Sequence, residues 1–297
     1  MQISTSQFYD RASARITGLA ARADALQTQI SGGKKLPTPS SDSAAYQRLR
    51  GLKTAASDDK AYAGNLTLAG SILQEADTTL SAIATQLQRA AELAVRARTG
   101  TQTDQTRTAI AVEIDEIIGA MAGLANTTDT RGQPLFGGID GSAAAVKQPD
   151  GGYLLAETTA TPIPIGSGQS IQPGETAARV FKVGDGDAFQ VLADLSAALK
   201  AGGDVWNAVG TAIADLSTAS TQVVTVQASL GARAARVEVE QNRLADVGLD
   251  REEARSAIED TDITQTVIEL QKTMTILSAT QASFTKLQSL SLFDYLR

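Results

Sequence analysis

Four places in this 297-residue sequence carry side chains of the kinds that do chemistry. Asp185 and Asp187, in Val-Gly-Asp-Gly-Asp, have the alternating acids of a calcium loop. The rest of the twelve-residue pattern and its closing bidentate Glu are missing, so turn residues are the better account. Ser31-Gly-Gly-Lys-Lys has the composition of a phosphate loop without the Gly-x-x-x-x-Gly-Lys-Ser/Thr spacing, and reads as the C-terminal cap of a helix. Glu259, Asp260 and Asp262 form an acidic cluster that needs partners from elsewhere to hold a metal. Its default reading is a solvated helix face, and the same holds for Asp115-Glu116.

Two absences narrow the function further. The chain has no His and no Cys, which removes the commonest general base, the commonest zinc ligands, thiol nucleophiles and disulfides. The sequence thus nominates no catalytic residue, no cofactor site and no metal site, and the chain is read as a non-enzyme. Its 26 Lys and Arg against 33 Asp and Glu leave a net charge of −7, which does not fit a phosphate-backbone partner, so no nucleic acid is expected. No run of about 18 apolar residues is present to span a membrane, and Met1–Asp10 has neither the basic nor the apolar region of an ordinary secretory signal.

The elements that would position functional residues are mainly helical. Aromatic residues are only 4% of the chain, whereas 50 residues are Ala, a composition suited to closely packed helices. All seven prolines lie at 37, 39, 134, 149, 162, 164 and 173, so 40–133 and 174–297 are free to form long helices. Between them, short apolar runs (Gly152-Tyr-Leu-Leu-Ala, Ile163-Pro-Ile, Arg179-Val-Phe-Lys-Val) alternate with Gly and Asp turns and read as small strands. From Tyr62, positions Leu66, Ala69, Leu73, Ala76, Leu80, Ile83, Leu87, Ala90, Ala94 and Ala97 keep an unbroken 3.5-residue rhythm, a seam of coiled-coil type. Ser57 followed by Asp58 and Asp59 predicts the N-cap of that helix, and Thr99-Gly100 its end. A second helix carries Ile110, Ile114, Ile117, Met121 and Leu124. A third, from about Asp204, carries Val209, Ile213, Leu216, Val223, Leu230, Val237 and Leu244, with Ser220 and Gln227 as interruptions.

The two ends repeat the pattern. Ile16, Leu19, Ala23, Leu26 and Ile30 form a heptad stripe that stops at Gly32-Gly33. Asp250 with Glu253 has the spacing of a capping box, after which Ile263, Val267, Leu270, Met274, Leu277 and Phe284 continue the rhythm, Gln281 being its one polar position. Mutual pairing of these distant segments is their simplest use. The alternative is an ordinary intramolecular bundle. The last eleven residues hold Leu287, Leu290, Leu292, Phe293, Tyr295 and Leu296, an apolar ending that must be tucked in or buried in an interface. The expected fold is therefore mainly α: a long coiled-coil-like bundle formed by the N- and C-terminal segments, with a small β-rich insert. The expected division is terminal helices at 1–56 with 251–297, a helical rod at 57–135 with 203–250, and a β-rich outer insert at 136–202.

Several of these stretches also resemble a known family. Gln29-Ile-Ser-Gly-Gly-Lys-Lys followed by Pro39-Ser-Ser-Asp-Ser-Ala-Ala-Tyr is similar to the N-terminal signature of the flagellin superfamily. Leu87-Gln-Arg-Ala-Ala-Glu-Leu-Ala-Val is similar to the flagellin helix that packs between neighbouring subunits; Arg89, Glu92 and Leu93 match it, and Ala91 stands where flagellins often carry Arg. Leu124-Ala-Asn-Thr-Thr-Asp-Thr-Arg-Gly, Leu135-Phe-Gly-Gly and the ending Ser289-Leu-Ser-Leu-Phe-Asp-Tyr-Leu resemble the hook-filament junction branch, the hook-associated protein 3 family, more than filament flagellins.

The resemblance implies a structural subunit joining the flagellar hook to the filament, exported by the flagellar type III route. It implies an inner tube of paired terminal helices and an outward β domain. The partners it implies are further copies of the chain, the neighbouring hook-associated protein, flagellin and an export chaperone. The implied assembly residues are Ile16, Leu19, Leu26, Ile30, Leu87, Arg89, Glu92, Leu93, Ile263, Val267, Leu270, Met274, Leu277, Phe284, Leu292, Phe293 and Leu296. A filament flagellin, or a secreted helical adhesin using the insert as its binding head, are the alternative functions.

Overall fold

The computed structural model describes residues 2–35, 42–138, 141–149 and 151–295, with side chains described from residue 7 to residue 286. Its helices are α1 (Gln2–Gly32), α2 (Ser43–Arg98), α3 (Asp104–Ala125), α4 (Ala177–Val180), α5 (Ala188–Ala201), α6 (Trp206–Glu259) and α7 (Ile263–Tyr295). Between α3 and α5 lie β1 (Ala145–Lys147), β2 (Tyr153–Leu155), β3 (Ile163–Gly166), β4 (Gln169–Ile171), β5 (Lys182–Val183) and β6 (Gly186–Asp187), paired consecutively as three separate antiparallel hairpins. The chain forms two compact units, residues 1–58 with 246–297 and residues 59–245. Both α2 and α6 contribute to each unit.

Within the 59–245 unit, α2 and α6 run antiparallel: Gly70 lies beside Val237, Gln227 Nε2 donates to Ser81 Oγ at 3.0 Å, and the Arg98 guanidinium stacks on Trp206 at 4.0 Å. The α2 stripe is buried as its rhythm predicts: Leu66, Ala69, Leu73, Ala76, Leu80, Ile83, Leu87, Ala90, Ala94 and Ala97 are all at most 2% exposed. On α6 the buried positions are Val209, Ala212, Leu216, Ala219, Val223, Val226, Leu230, Val237 and Leu244, so the seam runs through Ala219 and Val226 rather than breaking at Ser220 and Gln227. Alternating steps of three and four continue it through the partly buried Arg233 and Glu240. Arg233 faces the segment before α4, where Nη1 donates to the Gly174 carbonyl at 2.8 Å and Nη2 to Glu175 at 3.0 Å. An ionic group thus fills a seam position by pairing with a buried carboxylate, which apolar periodicity does not register.

Three helix boundaries differ from the sequence reading. Helix α2 starts at Ser43, with Asp42 Oδ1 accepting from the Ala45 amide at 2.9 Å, so Ser57 and Asp58 lie mid-helix. Asp250 and Glu253 likewise lie inside α6, which continues to Glu259; Gly248 costs only about 1 kcal/mol there and does not break it. The cap of α7 is instead Asp262, whose Oδ1 accepts from the Gln265 amide at 3.0 Å. In each case good capping chemistry sits where tertiary packing keeps the helix going.

The stretch 136–202 is less β-rich than its turns suggest, and it does not pack by itself. Arg179 and Val180, read as strand, belong to α4, and α5 is a fourteen-residue helix packed on α3. Asp187 caps it, with Oδ1 accepting from the Gln190 amide at 3.0 Å, and this is the structural use of the Gly-Asp-Gly-Asp turn. Phe136, Phe181 and Phe189 are at most 1% exposed and join the same apolar cluster as the α2 and α6 seams. Phe189 stacks at 4.8 Å from Phe181 and 4.6 Å from Tyr153. Asp115 ties the two helices together, accepting from Ser196 Oγ and Lys200 Nζ at 2.5 Å each. Burial opposes its ionisation, but those hydrogen bonds prevail and hold its pKa below the usual carboxylate range; Glu116 stays exposed.

The family-like stretch from Leu124 to Gly138 spans the end of α3 and the loop that follows it. Asn126 caps the helix and bonds both backbone groups of Ala145, at 2.8 and 3.0 Å. Asp129, 7% exposed, accepts from the Arg131 and Gln133 amides at 2.8 and 3.0 Å. At Gly137 a Cβ would lie 2.5 Å from the Ser142 carbonyl oxygen, so only glycine fits.

Truncating the aromatic cluster tests whether the insert shares the core. Phe189→Ala should lower stability in urea unfolding of the whole chain by about 3–5 kcal/mol. The exposed α6 substitution Val224→Ala should change it by less than about 0.5 kcal/mol.

Candidate assembly interface

In the unit formed by 1–58 and 246–297, α1 and α7 lie antiparallel. Tyr9 meets Phe284 edge-on at 5.6 Å, Arg22 pairs with Glu269, and Lys34 bridges to Asp260. The α1 stripe is the expected one: Ile16, Leu19, Ala23 and Ile30 are half-buried and Leu26 is buried.

The facing stripe of α7 is not quite the expected one. It runs through Thr266, Leu270, Thr273, Leu277, Thr280 and Phe284, the two best buried being Thr266 and Thr273. Each of these threonines donates its hydroxyl to the carbonyl four residues back, at 2.7, 2.8 and 2.7 Å, which satisfies the polar atom and leaves the methyl to pack. Counting apolar residues alone placed the seam partly on an adjacent face, at Ile263 and Met274. Both are 55% exposed, so neither belongs to the contact with α1. Val267 is half-buried beside the stripe, and Ile268 and Ile276 are exposed at 61% and 43%. Helix α7 thus carries apolar residues on faces that its own chain leaves uncovered, a pattern that belongs to a helix surrounded by neighbours.

A buried carboxylate fixes the base of this pair. Glu259, 2% exposed, accepts from Lys34 at 2.9 Å, Arg255 at 2.7 Å and Lys53 at 3.2 Å. The backbone closes the same joint, with the Lys35 amide donating to the Glu259 carbonyl at 2.7 Å and the Thr261 amide to the Gly33 carbonyl at 3.0 Å. Gly33 has φ of +64°, the left-handed conformation that ends a helix. The Ser-Gly-Gly-Lys-Lys stretch is therefore a cap, as read from sequence, and also supplies a cation to Glu259. Glu259 itself is no solvated helix face. The hydrogen bond from Lys34, with those from Arg255 and Lys53, outweighs burial and lowers its pKa from 4.5 to about 2. Sequence spacing gave no sign of this, because its members lie in α1–α2 and at the end of α6.

The candidate residues on α2 divide differently. Leu87 and Leu93 are fully buried in the chain's own core and have no surface to offer a neighbour. Arg89 and Glu92 are on the surface, Arg89 bonding Glu113 at 2.5 and 2.9 Å and Glu92 at 3.5 Å. The side chains of Leu292, Phe293 and Leu296 lie outside the described residues.

Comparison with known proteins places this geometry. The family model of the bacterial flagellin N-terminal helical region matches residues 3–140, and that of the C-terminal helical region matches 213–296. Flagellar hook-associated protein 3 of Salmonella typhimurium is 28% identical over 315 aligned positions, covering 99% of both chains. The Escherichia coli protein of the same name is 27% identical with the same coverage. Among solved structures, a putative flagellar hook-associated protein from Vibrio parahaemolyticus superposes with a TM-score of 0.69 at 18% identity, over 74% of this chain and all of that one. The flagellar junction protein FlgL of Legionella pneumophila gives 0.58 at 13%, over 71% and 100%. At these identities the superpositions show a shared fold.

The Glu259 joint makes the terminal unit acid-sensitive. A carboxylate whose pKa is lower when folded adds stability that is complete above its ordinary pKa of 4.5 and is lost as pH falls toward about 2. Amide-exchange protection around 29–35 and 256–266 should fall across that window. In Glu259→Gln protection should already be low at neutral pH and change little through it.

Proposed function

The chain belongs to the flagellin superfamily, and we propose on that premise that it is a structural subunit of the bacterial flagellum that joins hook to filament. The observation that carries this reading is the end-to-end match to hook-associated protein 3, which favours the junction over a filament flagellin or an adhesin. The family is structural, and the reading assigns the chain no reaction.

In this reading the two units have different work. The 59–245 unit is held by its own continuous apolar cluster and stands as a folded body before assembly. The α1–α7 pair is covered on one side only, and gains its remaining partners from neighbouring subunits. Ile16, Leu19, Leu26, Ile30, Leu270, Leu277 and Phe284 hold the pair together. Ile263, Val267 and Met274, with Leu292, Phe293 and Leu296, supply apolar surface to the assembly. Arg89 and Glu92 offer a charged contact on the outer helices. Its partners are further copies of itself, the adjoining hook-associated protein and flagellin, with a chaperone guarding the apolar C-terminus during type III export.

Leu270→Asp places a carboxylate between Val267 and Met274, against the α1 seam, where an unpaired charge costs several kcal/mol. Cells carrying it should make hooks, shed flagellin into the medium and fail to swim, while the variant protein is still secreted. Lys272→Asp adds an acid on an exposed position off the stripe and should swim nearly normally. Swimming by Leu270→Asp cells would exclude α7 as an assembly element; intracellular degradation of the variant would return the seam to the fold of the single chain.

A further inference from the structure

The terminal unit carries two exposed stripes of opposite charge that find no partner in their own chain. On α1, Phe8, Arg11 and Arg15 stand at i, i+3 and i+7, on one face of the helix. Phe8 is 49% exposed, and the three residues line a groove floored by Ala12 and Phe284. On α6, Asp246, Leu249, Asp250 and Glu253 stand at i, i+3, i+4 and i+7, again on one face. Leu249, at 70%, is the most exposed large apolar side chain among the described residues, and it sits between the acids.

Charge is segregated on a larger scale too. Residues 2–35 hold five basic residues against two acids, and residues 246–262 hold seven acids against two arginines. Several other charged groups of the unit are paired, Arg22 with Glu269, and Lys34, Lys53 and Arg255 with Glu259. The side chains of Arg11, Arg15, Asp246, Asp250 and Glu253 make no ion pair or hydrogen bond among the described residues.

We infer that these stripes are the two halves of one contact between copies of this chain: Phe8, Arg11 and Arg15 of one subunit dock on Asp246, Leu249, Asp250 and Glu253 of the next. Each stripe combines an apolar side chain with charges of one sign, so their union buries Phe8 against Leu249 and sets two guanidinium groups among three carboxylates. Guanidinium forks suit carboxylates bidentately. Because the two halves differ, the contact is head-to-tail and leaves each added subunit with a free half of either kind, which extends a ring or helix instead of closing a dimer. Charge complementarity of this kind fixes register and excludes wrong pairings more than it adds affinity. The inference rests on the junction-subunit reading and names the surface through which its copies meet.

The chain has no Cys, so introduced thiols report contacts without background. In Arg15→Cys/Asp250→Cys, oxidation of flagella on intact cells should give a ladder of disulfide-linked multimers of this chain alone. Asp24→Cys/Asp250→Cys, with its first thiol on the opposite face of α1, should give none. Separately, Arg11→Glu/Arg15→Glu should shed filaments and abolish swimming, and adding Asp250→Arg/Glu253→Arg should restore swimming. No ladder, a disulfide to a different protein, equal ladders from both pairs, normal swimming by the first reversal, or no rescue by the second would each overturn the contact. A deletion strain separates the two ideas. If it keeps its filaments and swims, the junction reading itself fails; if it sheds them while the charge-reversed strain swims, only this contact fails.

Discussion

Two helices packed side by side hide one stripe of each, and α7 carries more apolar surface than one stripe. Facing α1 it uses Leu270, Leu277 and Phe284 with three threonines, and Ile263, Ile268, Met274 and Ile276 are left toward solvent. Apolar side chains on more than one face are the pattern of a helix packed on more than one side. The 59–245 unit has a continuous core of its own: its α2 stripe is completely buried and its apolar cluster extends through α3, α5 and α6 into the hairpins. The difference distinguishes a unit with a continuous buried core from one whose helix pair buries a single stripe.

The acidic–basic joint at Glu259 ties the terminal unit together. It holds the turn after α1, the N-terminal part of α2 and the α6–α7 corner on one buried carboxylate. Removing any one cation leaves the other two to balance it, whereas removing the carboxylate leaves three cations crowded together. The antiparallel register of α1 on α7 starts from this corner, and every later contact of the pair, out to Tyr9 on Phe284, inherits it.

Small side chains are the second shared device. Helices α1 and α7, and likewise α3 and α5, approach closely through Ala, Ser and Thr. Ala12 and Ala23 lie on the first contact, with Thr266, Thr273 and Thr280 opposite; Ala111 and Ser196 lie on the second. Close approach raises dispersion contact without bulky side chains, which accounts for a chain rich in Ala and poor in aromatics. Three of its six phenylalanines, Phe136, Phe181 and Phe189, are buried in the stretch where helices give way to hairpins.

Sequence alone determined the helical class, the α2 seam position by position, the α1 stripe and its end at Gly33, and the pairing of the two termini. These depend on a 3.5-residue period of apolar side chains and on Gly and Pro, all of which are local and written in order along the chain. Tertiary structure decided which of two adjacent faces of α6 and α7 turns inward. A seam position filled by Ala, by a back-bonded Thr or by a paired Arg is invisible to apolar counting, and only the neighbour it packs against reveals it. Tertiary structure also decided that Ser57 and Asp250 are not caps, that α5 belongs to the helical core, and that Leu93 faces inward. It gathered Lys34, Lys53, Arg255 and Glu259 at one point. Those outcomes turn on long-range partners, and the spacing of residues along a chain does not record who meets whom across the fold.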